Sequence, residues 1–211
     1  DAGAEQGRAL CHHPFAGEPG RGHDHVVALP AQHRGGLYPQ PVIRADRLTL
    51  RPLQRSDQGL LELYAGDIRV AGNTSAIPHP YPPGAAEAFI ARCLSPDRPE
   101  DVWAMDGTAS GLDELVGVIG LKRMEDAPRQ SEIGYWVGPA FWNTGLASEA
   151  VRALLDTNPQ ECETIFAQVF QSNTISARVL TNAGFEYLGD AEAYSVALKA
   201  TVPTWTYLRR L

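Results

Sequence analysis

The 211-residue chain is poor in cysteine and has no long apolar run. Its three cysteines, Cys11, Cys93 and Cys162, are odd in number and widely spaced, which argues against a disulfide framework and favours a reducing, cytoplasmic location. The longest strongly apolar stretch, residues 115–121, is far shorter than the ~20 residues that a membrane helix needs. No basic segment followed by an apolar one opens the chain, so neither a secretory signal nor a membrane partner is expected.

Basic residues are also scarce relative to acidic ones. The chain has 18 Lys and Arg against 25 Asp and Glu, which gives a formal net charge of −7. Proteins that bind duplex DNA usually present a basic face to the phosphates, so nucleic acid is not expected as a partner. An acidic surface instead favours cationic partners through electrostatic steering.

The first 41 residues lack a periodic apolar pattern. They contain seven Gly, five Pro and five of the six His. Such a segment buries too little surface to offset the entropy of ordering it, so we expect a mobile tail over residues 1–41 and one folded domain over residues 42–211. Cys11 and the five histidines do not match the spacing of known zinc sites, so no metal is expected, and a metal-binding tail is the alternative.

From residue 42 onward the pattern is regular. Alternating or continuous apolar residues predict strands over Arg47–Leu53, Val102–Met105, Leu115–Met124, Glu132–Val137, Thr164–Phe170, Phe185–Leu188 and Thr204–Arg209. Apolar residues at helical spacing predict helices after a cap at Ser56–Asp57, over Ala85–Leu94, from about Gly145, and over Ser176–Asn182. The resulting order, β α α β β β α β α β β, is typical of a mixed α/β sheet.

The turn between the strand that ends at Val137 and the helix that begins near Gly145 carries most of the functional information. Unpaired N–H groups and the positive end of the helix dipole make residues 142–147 a candidate cradle for a phosphate or diphosphate. Gly145 and Ala147 are small enough for the backbone to approach an anion closely. The turn does not match the P-loop pattern, which excludes that class, and the lack of GxGxxG argues against a dinucleotide-binding fold.

Six stretches occur in the order and at the spacing of one enzyme superfamily: residues 47–53, 117–120, 132–137, 141–150, 173–180 and 183–185. They resemble the GNAT superfamily of acetyl-CoA-dependent N-acetyltransferases, and within it the branch of the ribosomal-protein alanine N-acetyltransferases, the Rim type. The resemblance implies a mostly antiparallel, twisted sheet with splayed fourth and fifth strands, flanked by helices. It also implies acetyl-CoA as a co-substrate.

The resemblance further implies how the cofactor is bound. Backbone amides of the turn would hold the CoA diphosphate, and the pantetheine would pair with the fourth strand like an added β-strand. The family pattern Q/R-x-x-G-x-G/A maps onto Trp142, Gly145 and Ala147, and Thr144 stands where many relatives have Lys or Arg. The expected cofactor-binding residues are Tyr135, Trp136, Val137, Trp142, Asn143, Thr144, Gly145, Leu146, Ala147, Ser148, Asn173 and Ser176, with the hydroxyls of Thr144 and Ser148 as additional donors to the diphosphate.

The implied reaction is direct attack of a free amine on the thioester. Ser176 matches the serine that protonates the leaving thiolate in the Rim-type branch, and a helix N-cap is the alternative reading of this residue. The tyrosine that other relatives use falls at Leu180. The base of one relative falls on Tyr194 or Ser195 and that of another on Gln168, and none of these is a carboxylate. Glu132 is the remaining candidate base, acting through water, and a solvated or ion-paired carboxylate is the alternative.

The proline-rich loop of residues 77–83 borders the acceptor cleft in relatives. His79 and Tyr81 are therefore expected to contact the substrate, and a loop histidine without a role is the alternative. The expected activity is acetyl transfer to a primary amine, either a protein N-terminal α-amino group or a small molecule. An acyl-CoA-binding module without turnover is the alternative function, favoured by the missing basic residue at position 144 and the unassigned base. Acetyl-CoA and the amine are the expected partners, and a homodimer stays open.

Overall fold

The computed structural model describes residues 40–211. The strands are β1 (Ile43–Arg44), β2 (Thr49–Pro52), β3 (Glu100–Asp106), β4 (Gly117–Met124), β5 (Ala127–Val137), β6 (Thr164–Phe170), β7 (Glu186–Ser195) and β8 (Ala200–Arg210). The helices are α1 (Gln58–Ala65), α2 (Ile68–Ala71), α3 (Ala85–Leu94), α4 (Leu146–Thr157) and α5 (Thr174–Asn182). Within the described range, no helix is both long and apolar enough to cross a membrane.

The predicted tail, with Cys11 and its five histidines, lies outside the described residues except for its last two. Those two contact the third strand directly. The Gln40 amide donates to the Val102 carbonyl at 2.8 Å, and the Trp103 indole N–H donates to the Pro41 carbonyl at 2.8 Å. The chain is therefore held against the sheet from residue 40 onward.

The described strands form one mixed sheet in the order β1-β2-β3-β4-β5-β6-β8-β7. Neighbouring strands are antiparallel except β5 and β6, which are parallel and pair only from Gln130–Thr164 to Ile133–Ala167. Beyond Ile133 the two strands separate, so the last four residues of β5 border a gap. Because β1 adds a short strand at the edge, β5 and β6 correspond to the fourth and fifth strands of the predicted fold. The expected mixed sheet with two splayed strands is confirmed.

Each face of the sheet has its own core. Odd-numbered β5 residues such as Ile133 and Val137 are buried in the first core with α4 and α5, whose Leu154 and Leu180 are fully buried. Trp136 packs against the second core, which α1 and α3 cover. Side chains of a strand alternate between faces, so neighbouring β5 residues serve opposite sides of the sheet.

The start of the first helix differs from its predicted cap. Asp57 precedes α1, but its carboxylate does not cap the helix. It accepts hydrogen bonds from the Arg51 guanidinium at 2.8 and 2.9 Å and from the Gln54 N–H at 2.7 Å. The buried guanidinium is the stronger partner because both groups are charged, and it draws the carboxylate back toward β2.

The last hairpin is longer than predicted. The sequence predicts a strand that ends at Leu188, whereas β7 continues to Ser195 and pairs with β8 down to Ala200. A register shift between Tyr187 and Gly189 places Leu188 in a bulge, which breaks the apolar alternation on which the prediction depends. The hairpin then contacts the segment after α2, where the Val196 N–H donates to the Ser75 carbonyl at 3.0 Å.

Candidate active site

Two hydrogen bonds determine which way the main chain of β5 points. The Gly138 N–H donates to the Val116 carbonyl at 2.8 Å, on the β4 side of the strand. At the other end, the Arg129 carbonyl accepts from the Glu163 N–H at 2.8 Å, on the β6 side. Main-chain groups alternate in direction along a strand, so even-numbered β5 residues bond to β4 and odd-numbered ones face β6.

The last two odd-numbered residues of β5, Tyr135 and Val137, lie beyond the final pair with β6. Their main-chain N–H and C=O groups therefore point into the gap between the strands. The Val137 carbonyl is taken by the Trp142 indole, whose N–H donates to it at 2.7 Å. Both main-chain groups of Tyr135 and the N–H of Val137 remain directed at whatever enters the gap.

This gap opens into a cleft of about 510 Å³. Its walls come from the end of β5, the first turns of α4 and α5, and the segment that includes α2. Eleven of the twelve predicted cofactor-binding residues line it: Tyr135, Trp136, Val137, Trp142, Asn143, Gly145, Leu146, Ala147, Ser148, Asn173 and Ser176. Residues from two separate β–turn–α units thus meet at one end of the sheet.

The turn before α4 presents free amides to the cleft. Gly145 is the N-cap, with a φ of 81°, and Asn143 also has a positive φ of 60°. The first backbone bond of the helix runs from the Glu149 N–H to the Gly145 carbonyl at 3.0 Å. The N–H groups of residues 146–148 therefore have no earlier carbonyl to bond within the helix, and these residues line the cleft.

Thr144 is the one predicted cofactor-binding residue that lies outside the cleft lining. Its hydroxyl donates to the Phe141 carbonyl at 2.5 Å, and its own carbonyl accepts from the Arg47 guanidinium at 2.8 Å. The hydroxyl and the carbonyl of Thr144 are thus used within the protein. The left-handed residues on either side turn its side chain back onto the loop, so the expected hydroxyl donation to a diphosphate does not follow from this geometry.

The start of α5 brings a serine and a tyrosine together. Asn173 is the N-cap, and its side-chain oxygen accepts from the Ser176 N–H at 3.2 Å, so the reading of Ser176 as the cap is wrong. Ser176 lines the cleft, and its carbonyl accepts from the Tyr135 hydroxyl at 3.2 Å. Burial raises the pKa of Tyr135 well above its ordinary value, which keeps this phenol neutral.

Glu132 lies on the opposite face of β5 from Tyr135, outside the cleft lining. Its carboxylate reaches solvent, yet the surrounding protein raises its pKa above the ordinary value, while Lys122 on β4 lowers it. Between Glu132 and Trp136 stands Gly134, where an added Cβ would meet no atom within 4 Å. The sheet therefore has open space on this face, directly beside the gap.

The two predicted substrate-binding residues are not in the cleft lining either. His79 is half-buried, and its Nδ1 has no hydrogen-bond partner within the described residues. Tyr81 is half-buried as well, and burial raises its pKa, with Glu62 adding to the shift. Both residues belong to the loop between α2 and α3, on the face of the sheet that α1 and α3 cover.

Sequence reasoning missed the α2 side of the cleft. Arg69, Val70, Asn73 and Thr74 line it, and the Arg69 guanidinium lies over the Trp142 ring at 5.7 Å. A four-residue helix is too short to produce a recognisable apolar period. The sequence offers one local signal for α2, namely Asp67. This residue is the N-cap of the helix, and its carboxylate accepts from the Arg69 N–H at 2.8 Å.

The two cysteines among the described residues, Cys93 and Cys162, are free and buried. Burial raises the pKa of Cys93 to about 12, so its thiol stays protonated and a poor nucleophile at neutral pH. Among residues 40–211, no three His, Cys, Asp or Glu side chains are grouped closely enough to hold a metal ion.

Comparison with known proteins gives the family. The model of the acetyltransferase (GNAT) domain matches residues 47–186, more than half of the chain. A curated relative, the uncharacterized N-acetyltransferase p20 of Bacillus licheniformis, is 28% identical over 155 residues, which is 72% of this chain and 86% of that protein.

Solved structures show the same fold at lower identity. The microcin C7 self-immunity acetyltransferase MccE, solved with acetyl-CoA and AMP, has a TM-score of 0.68 and 15% identity over 79% of this chain and 93% of its own. The ribosomal-protein-S5-alanine acetyltransferase of Vibrio fischeri has a TM-score of 0.66 and 17% identity, with 81% and 97% covered. The spermidine N-acetyltransferase of Vibrio cholerae, solved with CoA and spermine, has a TM-score of 0.66 and 17% identity, with 78% and 95% covered. The protein belongs to the GNAT family of N-acetyltransferases.

Proposed function

We propose that this enzyme acetylates a primary amine by direct attack of the amine on acetyl-CoA held in the cleft beside β5. The observation that carries the proposal is the convergence of two sets of main-chain donors on one cleft. The amides of residues 146–148 are arranged for a diphosphate, and those of β5 for an extended amide chain. CoA contains both groups, because its diphosphate is joined directly to the pantetheine arm, which carries the amides.

In this proposal the pantetheine adds to the free edge of β5 as a short extra strand. Tyr135 offers it both main-chain groups. The N–H of Val137 is left to stabilise the oxyanion that forms when the thioester carbonyl is attacked. Asn173 contributes its side-chain amide, because the cap bond to Ser176 uses only the oxygen.

The proton transfers are assigned to two side chains on opposite faces of the sheet. The amine nitrogen forms a bond to the thioester carbon, the carbon–sulfur bond breaks, and the amine loses one proton. Ser176 donates to the departing thiolate, whose ordinary pKa of about 8.5 demands only a weak acid. Glu132 takes the amine proton through water, and its raised pKa makes the carboxylate a better base than an ordinary glutamate.

The acceptor would approach over Gly134, from the face opposite the nucleotide. Open space above Gly134 lies between Glu132 and Trp136, and the loop with His79 and Tyr81 belongs to the same face. The negative net charge favours an amine that is cationic in solution. Structural neighbours include both a ribosomal-protein alanine acetyltransferase and a spermidine acetyltransferase, so peptide N-termini and polyamines are the two acceptor classes to test.

The test measures thiol release from acetyl-CoA with a panel of amines. The panel contains peptides with N-terminal alanine or serine, their N-terminally blocked counterparts, and spermidine. At least one free amine should release CoA thiol at a rate that depends on acceptor concentration. Calorimetric binding of CoA without any acceptor-dependent thiol release would instead support a binding module without turnover.

A variant on the acceptor side sharpens this test. Gly134→Leu fills the open space without touching the diphosphate turn, so we expect a higher KM for the amine and an unchanged affinity for CoA. Met124→Gln, at the far end of β4 where the residue is 38% exposed and pairs with Ala127, serves as a control for altering this strand pair at a distance from the gap. Equal acceptor KM values for Gly134→Leu and the wild type would place the acceptor elsewhere.

A further inference from the structure

One buried carboxylate joins the first strand pair to the helix that carries the free amides. Glu149, in the first turn of α4, is only 9% exposed. Its Oε1 accepts from the main-chain N–H groups of Arg47 at 2.6 Å and Leu48 at 3.1 Å. Its Oε2 accepts from the Arg47 Nε at 2.8 Å.

The same arginine also holds the turn before α4. The Arg47 Nη1 donates to the Thr144 carbonyl at 2.8 Å. An added Cβ on Gly145 would lie 3.4 Å from the Arg47 Nη2, so the guanidinium rests directly against the turn. The Ser110 hydroxyl donates to the Arg47 carbonyl at 3.1 Å, which anchors the arginine backbone from the other side.

These contacts have an electrostatic consequence for the cleft. Glu149 immediately follows the three free amides of residues 146–148 in sequence, and its negative charge would oppose a diphosphate bound to them. Arg47 pairs with that carboxylate and supplies a positive charge beside the turn. A single side chain thus fixes the shape of the turn and cancels the charge next to it.

We propose that Arg47 is a positioning residue for the CoA diphosphate, a role that rests on the proposed binding of CoA by this turn. It acts through Thr144 and Glu149 and does not touch the ligand, since it is outside the cleft lining. It offsets the negative charge of Glu149 beside a turn that has no basic residue at position 144. The forked guanidinium suits this task because it donates to a carboxylate and a carbonyl at once.

The test compares CoA with pantetheine, which lacks the diphosphate, on folded full-length protein. We expect Arg47→Gln to raise the Kd for CoA at least tenfold. Arg47→Lys keeps the charge but loses the fork, and we expect a rise of about threefold. Affinity for pantetheine, followed by ligand-detected NMR, should stay within twofold of wild type for both variants.

A matched control removes another arginine from an ion pair. Arg129 pairs with Glu163 at 2.7 Å near the start of β5, six residues before Tyr135 and so roughly 20 Å along the strand. Arg129→Gln should bind CoA within twofold of wild type. Melting temperatures of all variants show how far the fold itself is affected.

Two results would overturn the role of Arg47. One is an affinity of Arg47→Gln for CoA within twofold of wild type. The other is an equal loss of CoA and pantetheine affinity, which indicates a general structural effect. If Arg47→Gln does not fold, unchanged CoA affinity in Arg47→Lys has the same meaning. Wild-type protein that binds no CoA would instead refute the proposed function, and this role with it.

Discussion

At the scale of single residues, Gly145 combines two constraints. Its φ of 81° is a conformation that side chains rarely adopt, and its amide belongs to the turn that faces the cleft. We expect Gly145→Asp to weaken CoA binding at least tenfold, because the side chain adds strain and a negative charge to an anion site. Isothermal titration calorimetry measures the change.

Gly145→Ala separates the two causes. Alanine brings the same backbone strain without the charge, so its loss of CoA affinity should be clearly smaller than that of Gly145→Asp. CoA affinity equal to wild type in Gly145→Asp would remove this turn from the binding site.

Glu132 makes a pH-dependent prediction. Only the ionised carboxylate accepts a proton, so activity should fall as pH drops through its pKa. That pKa is raised by the surrounding protein, so the acid limb of kcat should lie at higher pH than for an ordinary glutamate. Glu132→Gln should lower kcat at least tenfold, abolish this limb and leave CoA affinity unchanged. A wild-type limb retained in Glu132→Gln would assign it to another group.

At the scale of elements, the start of α5 serves stability and binding through one side chain. The Asn173 oxygen caps the helix, and its amide nitrogen is the group proposed to reach the cofactor. We expect Asn173→Ala to reduce the free energy of unfolding by about 1 kcal/mol through loss of the cap, and to weaken CoA binding as well. Chemical denaturation and calorimetry measure the two effects.

Asn173→Ser is the matched control for the cap. Serine retains a capping oxygen and lacks the amide donor, so stability should stay near wild type while CoA affinity still falls. A serine variant with wild-type affinity would restrict Asn173 to a structural role.

At the scale of the whole molecule, Tyr64 ties the first helix to the sheet. Its ring lies against Gly138, at the end of β5, and its hydroxyl donates to Asp113 at 2.6 Å in the connection between β3 and β4. Burial and Asp113 raise the pKa of Tyr64 to about 12, from an unfolded value near 10. The stability from this contact is therefore complete below about pH 10 and is lost as pH rises through about 12.

Tyr64→Phe tests this alkaline dependence. We expect the variant to be less stable than wild type by about 1 kcal/mol at pH 8, with the difference shrinking between pH 10 and 12. Denaturation series at several pH values measure it, and Tyr194→Phe, at a tyrosine 47% exposed, is the control. A difference that is constant with pH would contradict the contribution of the phenol proton.

The parts of the site that could be predicted are those contiguous in the chain. Residues 142–148 follow a strand and open a helix, so small residues at 145 and 147 sufficed to predict a turn with free amides at this point. The side-chain direction of Thr144 could not be predicted because it depends on the left-handed backbone around it and on Arg47, which is 97 residues away. Arg69 was missed because α2 contributes only through its packing beside Trp142.

The amino-acid sequence alone determined the order of the main strands and helices, the turn at the start of α4, and the membership in a family of known chemistry. These depend on local periodicity, on glycine positions and on short motifs, all of which are readable along one chain. Only the tertiary structure decided where β5 separates from β6 and which face Glu132 occupies. It also decided that Arg47, in the connection between β1 and β2, contacts the turn before α4. Those features arise from contacts between residues that are distant in sequence. Such contacts form only when helices and strands pack into the two hydrophobic cores on either face of the sheet.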